Sequence, residues 1–137
     1  MRIVLAFAAM TVMAACQPPP RQTPVTDAAA PVAIVATPAA DARVSSPLRV
    51  SGTAPADWYF ENQFPVRLVD VQGEEMAFAP ATPRVNWTEP GDKPFDAELT
   101  FDVSAETPAT LVLEEDMLGD NAAPRQVRIP VVLIPNG

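Results

Sequence analysis

Phe95-Asp96-Ala97-Glu98-Leu99-Thr100-Phe101-Asp102-Val103 alternates without a break: every odd-numbered residue is apolar and every even-numbered one polar. A β-strand sends successive side chains to opposite faces, so Phe95, Leu99, Phe101 and Val103 share one buried face and the acids face water. Wound as a helix, the same residues would have no apolar side. The stretch therefore reads as a half-buried strand, and its period of two recurs through most of the chain.

Upstream, residues 48–53 set Leu48 and Val50 against Arg49 and Ser51, with Gly52 as the candidate for a bulge. Residues 32–37 form a short apolar run ended by Pro38. Residues 64–71 direct Val66 and Leu68 inward, Gln72-Gly73 turns the chain, and residues 75–79 return as the second arm of a hairpin. Downstream, residues 110–115 and 126–134 complete the set. In the last of these Val127, Ile129, Val131 and Leu133 are in phase. Pro130 falls on the opposite phase and predicts an edge strand, because proline gives no hydrogen bond to a ladder. About seven strands separated by Pro, Gly, Asn and Asp turns, with no amphipathic helix, predict an all-β protein. Its form is an immunoglobulin-like antiparallel β-sandwich, with a small barrel as the alternative. The Cys…Trp…Cys spacing of antibody domains is absent, so that likeness is architectural. Residues 80–94 read as an enlarged loop.

The sandwich occupies residues 32–137, and two other segments precede it. Arg2 is followed by an uncharged run over residues 3–12, too short to span a bilayer but suited to the apolar part of a signal peptide. Met13-Ala14-Ala15-Cys16 closes that run with two small residues and the chain's one cysteine. These residues resemble the lipobox of bacterial lipoproteins, with Met13 where leucine is usual. The resemblance implies cleavage after residue 15 and a lipid on Cys16. Gln17, in place of the aspartate that marks inner-membrane retention, favours the outer membrane facing the periplasm. Residues 17–31, with Pro18, Pro19, Pro20, Pro24 and Pro31, have little to bury and read as an extended tether. At about 3.1 Å per residue it reaches roughly 45 Å. Residues 1–15 are thus the expected signal peptide and residues 16–31 the lipidated cysteine and linker.

Within the sandwich, Ser46-Pro47-Leu48-Arg49-Val50-Ser51-Gly52-Thr53-Ala54 is similar to the opening phrase of the immunoglobulin-like domain of bacterial spore-germination proteins. Phe60-Glu61-Asn62, the Val66, Leu68, Asp70, Gly73 series, Pro94-Phe95 and Ile129-Pro130-Val131 follow in the same order. The resemblance covers about residues 32–134. It implies a β-sandwich module of extracytoplasmic proteins with no catalytic residues to carry over.

Composition narrows the function. Of 9 basic residues one is Arg2, so cleavage of the leader leaves 8 against 17 acids. A chain so acidic has no patch to meet phosphates, and nucleic acid is not an expected partner. There is no histidine, and the single cysteine stands at the lipidation position, so catalysis would have to rest on carboxylates. Glu74-Glu75 reads as a solvated turn pair. Glu114 and Asp116, with Asp120 and Asn121, match no EF-hand spacing. The expectation is therefore no enzyme, no cofactor and no metal. Trp58-Tyr59-Phe60 and Trp87 fall in loops. There, aromatic residues either cap the open end of a sandwich core or grip a partner, and Trp58, Tyr59 and Trp87 are the candidate contacts. The expected function is a non-enzymatic, lipid-anchored adaptor or accessory binding module for an envelope protein. The alternative is a cell-wall glycan-binding module that stacks sugars on the same aromatics.

Overall fold

The computed structural model describes residues 31–116 and 123–137. The expected leader, Cys16 and the expected tether before Pro31 lie outside the described residues, as do Asp120 and Asn121. Among the described residues there are eight strands: β1 (Ile34–Thr37), β2 (Ala42–Val44), β3 (Leu48–Ala54), β4 (Phe64–Val69), β5 (Glu75–Pro83), β6 (Lys93–Leu99), β7 (Thr107–Glu114) and β8 (Gln126–Leu133). A 3₁₀ turn, Ala56–Trp58, joins β3 to β4. The hydrogen-bonded order is β1-β3-β6-β5-β4-β7-β8-β2, antiparallel except for the parallel pair of β2 with β8. The sheet curls into two facing layers, and β5 belongs to both.

Why β5 changes partner follows from its prolines. The Arg84 amide donates to the Pro94 carbonyl at 2.9 Å, which fixes the phase: even-numbered residues of β5 and β6 turn their backbone groups toward each other. Pairing includes Thr82 with Asp96, and the next position in phase is Pro80, which has no donor to offer Glu98. There β5 leaves β6. Its odd-numbered residues continue to bond β4, with Ala81 opposite Phe64 and Ala79 opposite Val66. β5 therefore extends through Pro83, and the expected loop of residues 80–94 shrinks to residues 84–92.

The strand that decided the fold is β6. Lys93, Phe95, Ala97 and Leu99 are buried while Asp96 and Glu98 are exposed. It stops at Leu99, earlier than the alternation runs, because its partner β3 begins at Leu48 opposite Leu99. The residue next in register is Pro47, which cannot extend the ladder. The Phe101 amide donates instead to Ser46 Oγ at 3.0 Å, and Phe101 and Val103 pack half-buried at the margin of the core.

Two details refine the expected sandwich. Eight strands among the described residues stand where the sequence reads as about seven, the addition being Ala42-Arg43-Val44, which forms β2 and is too short to display a period. β8 is not an edge throughout. It pairs with β7 along its whole length, and β2 covers its other side from Val131 to Leu133. Pro130 marks the transition: its carbonyl accepts the Asp41 amide at 2.7 Å, and its missing N–H sits where the cover ends.

Candidate functional site

The 3₁₀ turn, the loop of residues 84–92 and the start of β8 meet at one end of the sandwich. Trp58 and Tyr59 are placed there, and both are wholly buried, with 0% of their surface exposed. They form an aromatic cluster with Phe64 and Phe95 in edge-to-face contacts at centroid distances of 5.0–5.6 Å. Trp58 Nε1 donates to the Pro31 carbonyl at 3.3 Å, and the Arg125 guanidinium stands 5.9 Å from the indole centroid. Burial of this kind gives a partner nothing to touch. As contact candidates Trp58 and Tyr59 are corrected to the cap of the core, the other role open to loop aromatics.

Tyr59 also holds the neighbouring loop. Its hydroxyl donates to the Lys93 carbonyl at 3.0 Å, and Lys93, itself 2% exposed, donates through Nζ to Pro90 O at 3.2 Å and Gly91 O at 3.0 Å. Burial, reinforced by the negative charge of Asp92, pushes the Tyr59 phenol above its ordinary value. Below about pH 10 the phenol is protonated in folded and unfolded chains alike. Above it the unfolded chain releases the proton while the folded one keeps it, so stability falls as pH rises. The slope approaches about 1.4 kcal/mol per pH unit. Urea unfolding at pH 8 and pH 10.5 should show this loss in the native chain and a smaller one in Tyr59→Phe. Equal losses in both chains would mean that the phenol is solvated.

Two neighbouring features remain accessible. Phe60 and Gln63 exchange backbone hydrogen bonds at 2.9 and 3.1 Å around Glu61 and Asn62, whose φ values are 48° and 73°. Both central residues are left-handed, the geometry of a two-residue type I′ turn. Asparagine tolerates it; glutamate does so at a cost of order 1 kcal/mol, strain of a kind that gathers at working loops. This turn leaves Phe60 48% exposed. Residues 84–92 are shaped by Asn86, whose Oδ1 accepts the Thr88 amide at 3.0 Å and the Thr88 hydroxyl at 2.8 Å. Arg84 forks onto Asp96 at 2.6 and 3.0 Å at the loop's base. That loop half-buries Trp87 against the core and leaves Val85 exposed. The outward apolar group of this end is thus Phe60, Val85 and part of Trp87. Phe60 was legible only as the third member of an aromatic triplet, because its direction depends on the turn that follows it.

The acidic clusters stay apart from this end or are already engaged. Asp70 Oδ1 accepts the Gln72 and Glu74 amides at 2.8 and 2.9 Å and so builds the hairpin turn; Glu75 pairs with Arg67. Glu114 accepts from Gln126, and Glu115 is spent on Arg125. Among the described residues no three His, Cys, Asp or Glu side chains converge as a metal site would require. A shallow hollow of about 430 Å³ lies where β5 parts from β6, but its charges are matched as Arg49–Glu98 and Arg84–Asp96.

With this geometry in place, the comparisons decide the family. The model of Gmad2, the immunoglobulin-like domain of bacterial spore germination, matches residues 32–121. The chain belongs to this family. Its Gmad2 domain begins just before β1, and the match ends beyond β7. β8, including the Ile129-Pro130-Val131 phrase, lies past the matched residues although it pairs along the whole of β7. No curated protein and no solved structure gives a significant match. Immunoglobulin-like domains of this kind are typically non-catalytic binding modules.

Proposed function

We propose that this Gmad2 protein is a lipid-anchored adaptor of the bacterial cell envelope. Lipid on Cys16 holds it to the outer membrane, facing the periplasm, and the proline-rich tether sets its search radius. Two or more acyl chains give stable attachment where one is marginal. Confinement to one surface raises the effective concentration of any partner on it. The observation that carries the binding role is the exposed Phe60, held on a strained two-residue turn at a rigid, aromatic-plugged end that also presents Val85 and Trp87. A rigid apolar projection loses little entropy on docking, which favours a protein partner.

Two measurements test this reading. Cys16→Ser should abolish the acyl mass and release the protein from membranes; an unaltered, membrane-bound variant would refute the anchor. A photo-crosslinking residue at Phe60 or Val85 should yield one dominant protein adduct in cells. Adducts to cell-wall material would favour the glycan alternative. The only tryptophan able to stack on a sugar is Trp87, since Trp58 is buried. Glycan binding therefore predicts an emission shift that disappears in Trp87→Phe.

A further inference from the structure

The open half of β8 has the makings of a second recognition surface. The Glu115 amide bonds the Arg125 carbonyl at 3.0 Å, so odd-numbered residues at this end of β8 face β7. Even-numbered residues face away: Pro130 O accepts from Asp41, and the Ile134 amide donates to Val44 O at 2.9 Å. Gln126 and Arg128 belong to the same outward phase, yet β2 begins to pair only at Val131. Their two N–H and two C=O groups therefore have no strand partner among the described residues. On the inner face Val127 and Ile129 point toward the core but stay half-buried, because among the described residues no strand continues β2 over them. On the outer face stands Arg128. Arg43, Arg49, Arg67, Arg84 and Arg125 each contact a carboxylate; among the described residues Arg128 has none and reaches only Gln126 Oε1 at 3.1 Å.

We propose that the β8 edge over residues 126–129 accepts an extended, acidic peptide segment of a partner protein as an added strand. Backbone pairing with Gln126 and Arg128 would hold it. Alternate side chains of the segment would cover Val127 and Ile129, and a carboxylate on the other face would stand across from Arg128. The other edges are less suited: the side of β5 that β6 leaves uncovered carries Pro80, which has no N–H to offer an added strand. β1 has four residues, an irregular register and a proline on either side, while β2 has three residues. A second copy of this chain fits poorly, because antiparallel pairing of two β8 edges sets each Arg128 near its own image with no carboxylate between them. This surface is independent of Phe60, Val85 and Trp87, so its failure would leave the adaptor reading standing.

The test uses the chain from residue 17 onward, labelled for amide NMR. Two ten-residue peptides of alternating valine and threonine serve as probes, one with a central outward aspartate and one with lysine there. In the free protein the Gln126 and Arg128 amides should exchange with solvent much faster than those of Val127 and Ile129. The aspartate peptide should slow them and shift their resonances, and bind roughly fivefold more tightly than the lysine peptide. Arg128→Glu, which keeps the strand, should invert that preference. Protected Gln126 and Arg128 amides in the free chain, equal binding of both peptides, or an unchanged preference in Arg128→Glu would each overturn the proposal.

Discussion

Gly52→Ala is expected to lower the stability of the domain by about 3 kcal/mol, a large effect for one methyl group. Gly52 lies in the inward phase of β3, where an ideal Cβ would stand 2.0 Å from the Ile34 carbonyl oxygen and 3.0 Å from Val35 Cα. Both obstacles are backbone, so no side chain can rotate out of the way. The glycine is required by close approach, not by its dihedral angles. The sheet's alternative to overlap is to push β1 outward. That strand is four residues long and already irregular, its register slipping between Val35 and Thr37 opposite Gly52 and Ser51. Displacing it uncovers the buried Ala33 and the half-buried Val35. Urea unfolding followed by tryptophan emission measures the loss, with Thr53→Ala on the same strand as a control for strand propensity. A Gly52→Ala cost below about 0.5 kcal/mol would show that β1 yields freely and does not clasp β3.

The same glycine shows how far the sequence can be read. Gly52 interrupting the phase of Leu48 and Val50 marks an irregularity, but the irregularity lies in the strand across from it, which no local pattern reveals. Alternation located β3, β4, β6 and β8, whose apolar residues lie in one phase, whereas β7 carries the continuous run Leu111-Val112-Leu113, buried on both faces. It failed for β2, where Ala42-Arg43-Val44 is held by β8 and not by any pattern of its own. It overran in β6, since Phe101 and Val103 keep the period after the partner strand has ended at Pro47. At the functional end the sequence shows that aromatics occupy the loops but not which way they face. Trp58 and Tyr59 are turned inward by contacts with residues far along the chain: Pro31, Lys93 and Arg125. Phe60, one residue on, is turned outward by a left-handed pair that only Asn62 advertises.

Arg125→Met should be the other severe substitution, costing about 3 kcal/mol or more. The Arg125 side chain is 18% exposed and the Glu115 side chain 11%, and they meet at 2.6 Å and 2.7 Å through two guanidinium nitrogens. The Arg125 amide also donates to Glu115 Oε1 at 2.8 Å, so this carboxylate is served from both the backbone and the side chain. Arg125 Nη1 bonds the Pro31 carbonyl at 2.6 Å, and Nη2 reaches Asp57 at 2.8 Å. Asp57 is 65% exposed, and its share is small because water screens it. The penalty comes from Glu115, whose carboxyl group is left in a nearly closed site without its cation. Methionine approximates the volume over Trp58, so the loss is one of charge compensation more than of packing. The double variant Arg125→Met, Glu115→Leu removes both charges and should recover much of the loss, because an apolar pair needs no compensation. If the double variant is as unstable as the sum of its parts, the bond to Pro31 is the larger contribution, and Arg125 serves chiefly to hold Pro31 beside Trp58. Either result shows how Pro31, whose carbonyl accepts from both Trp58 and Arg125, is held against this end of the core.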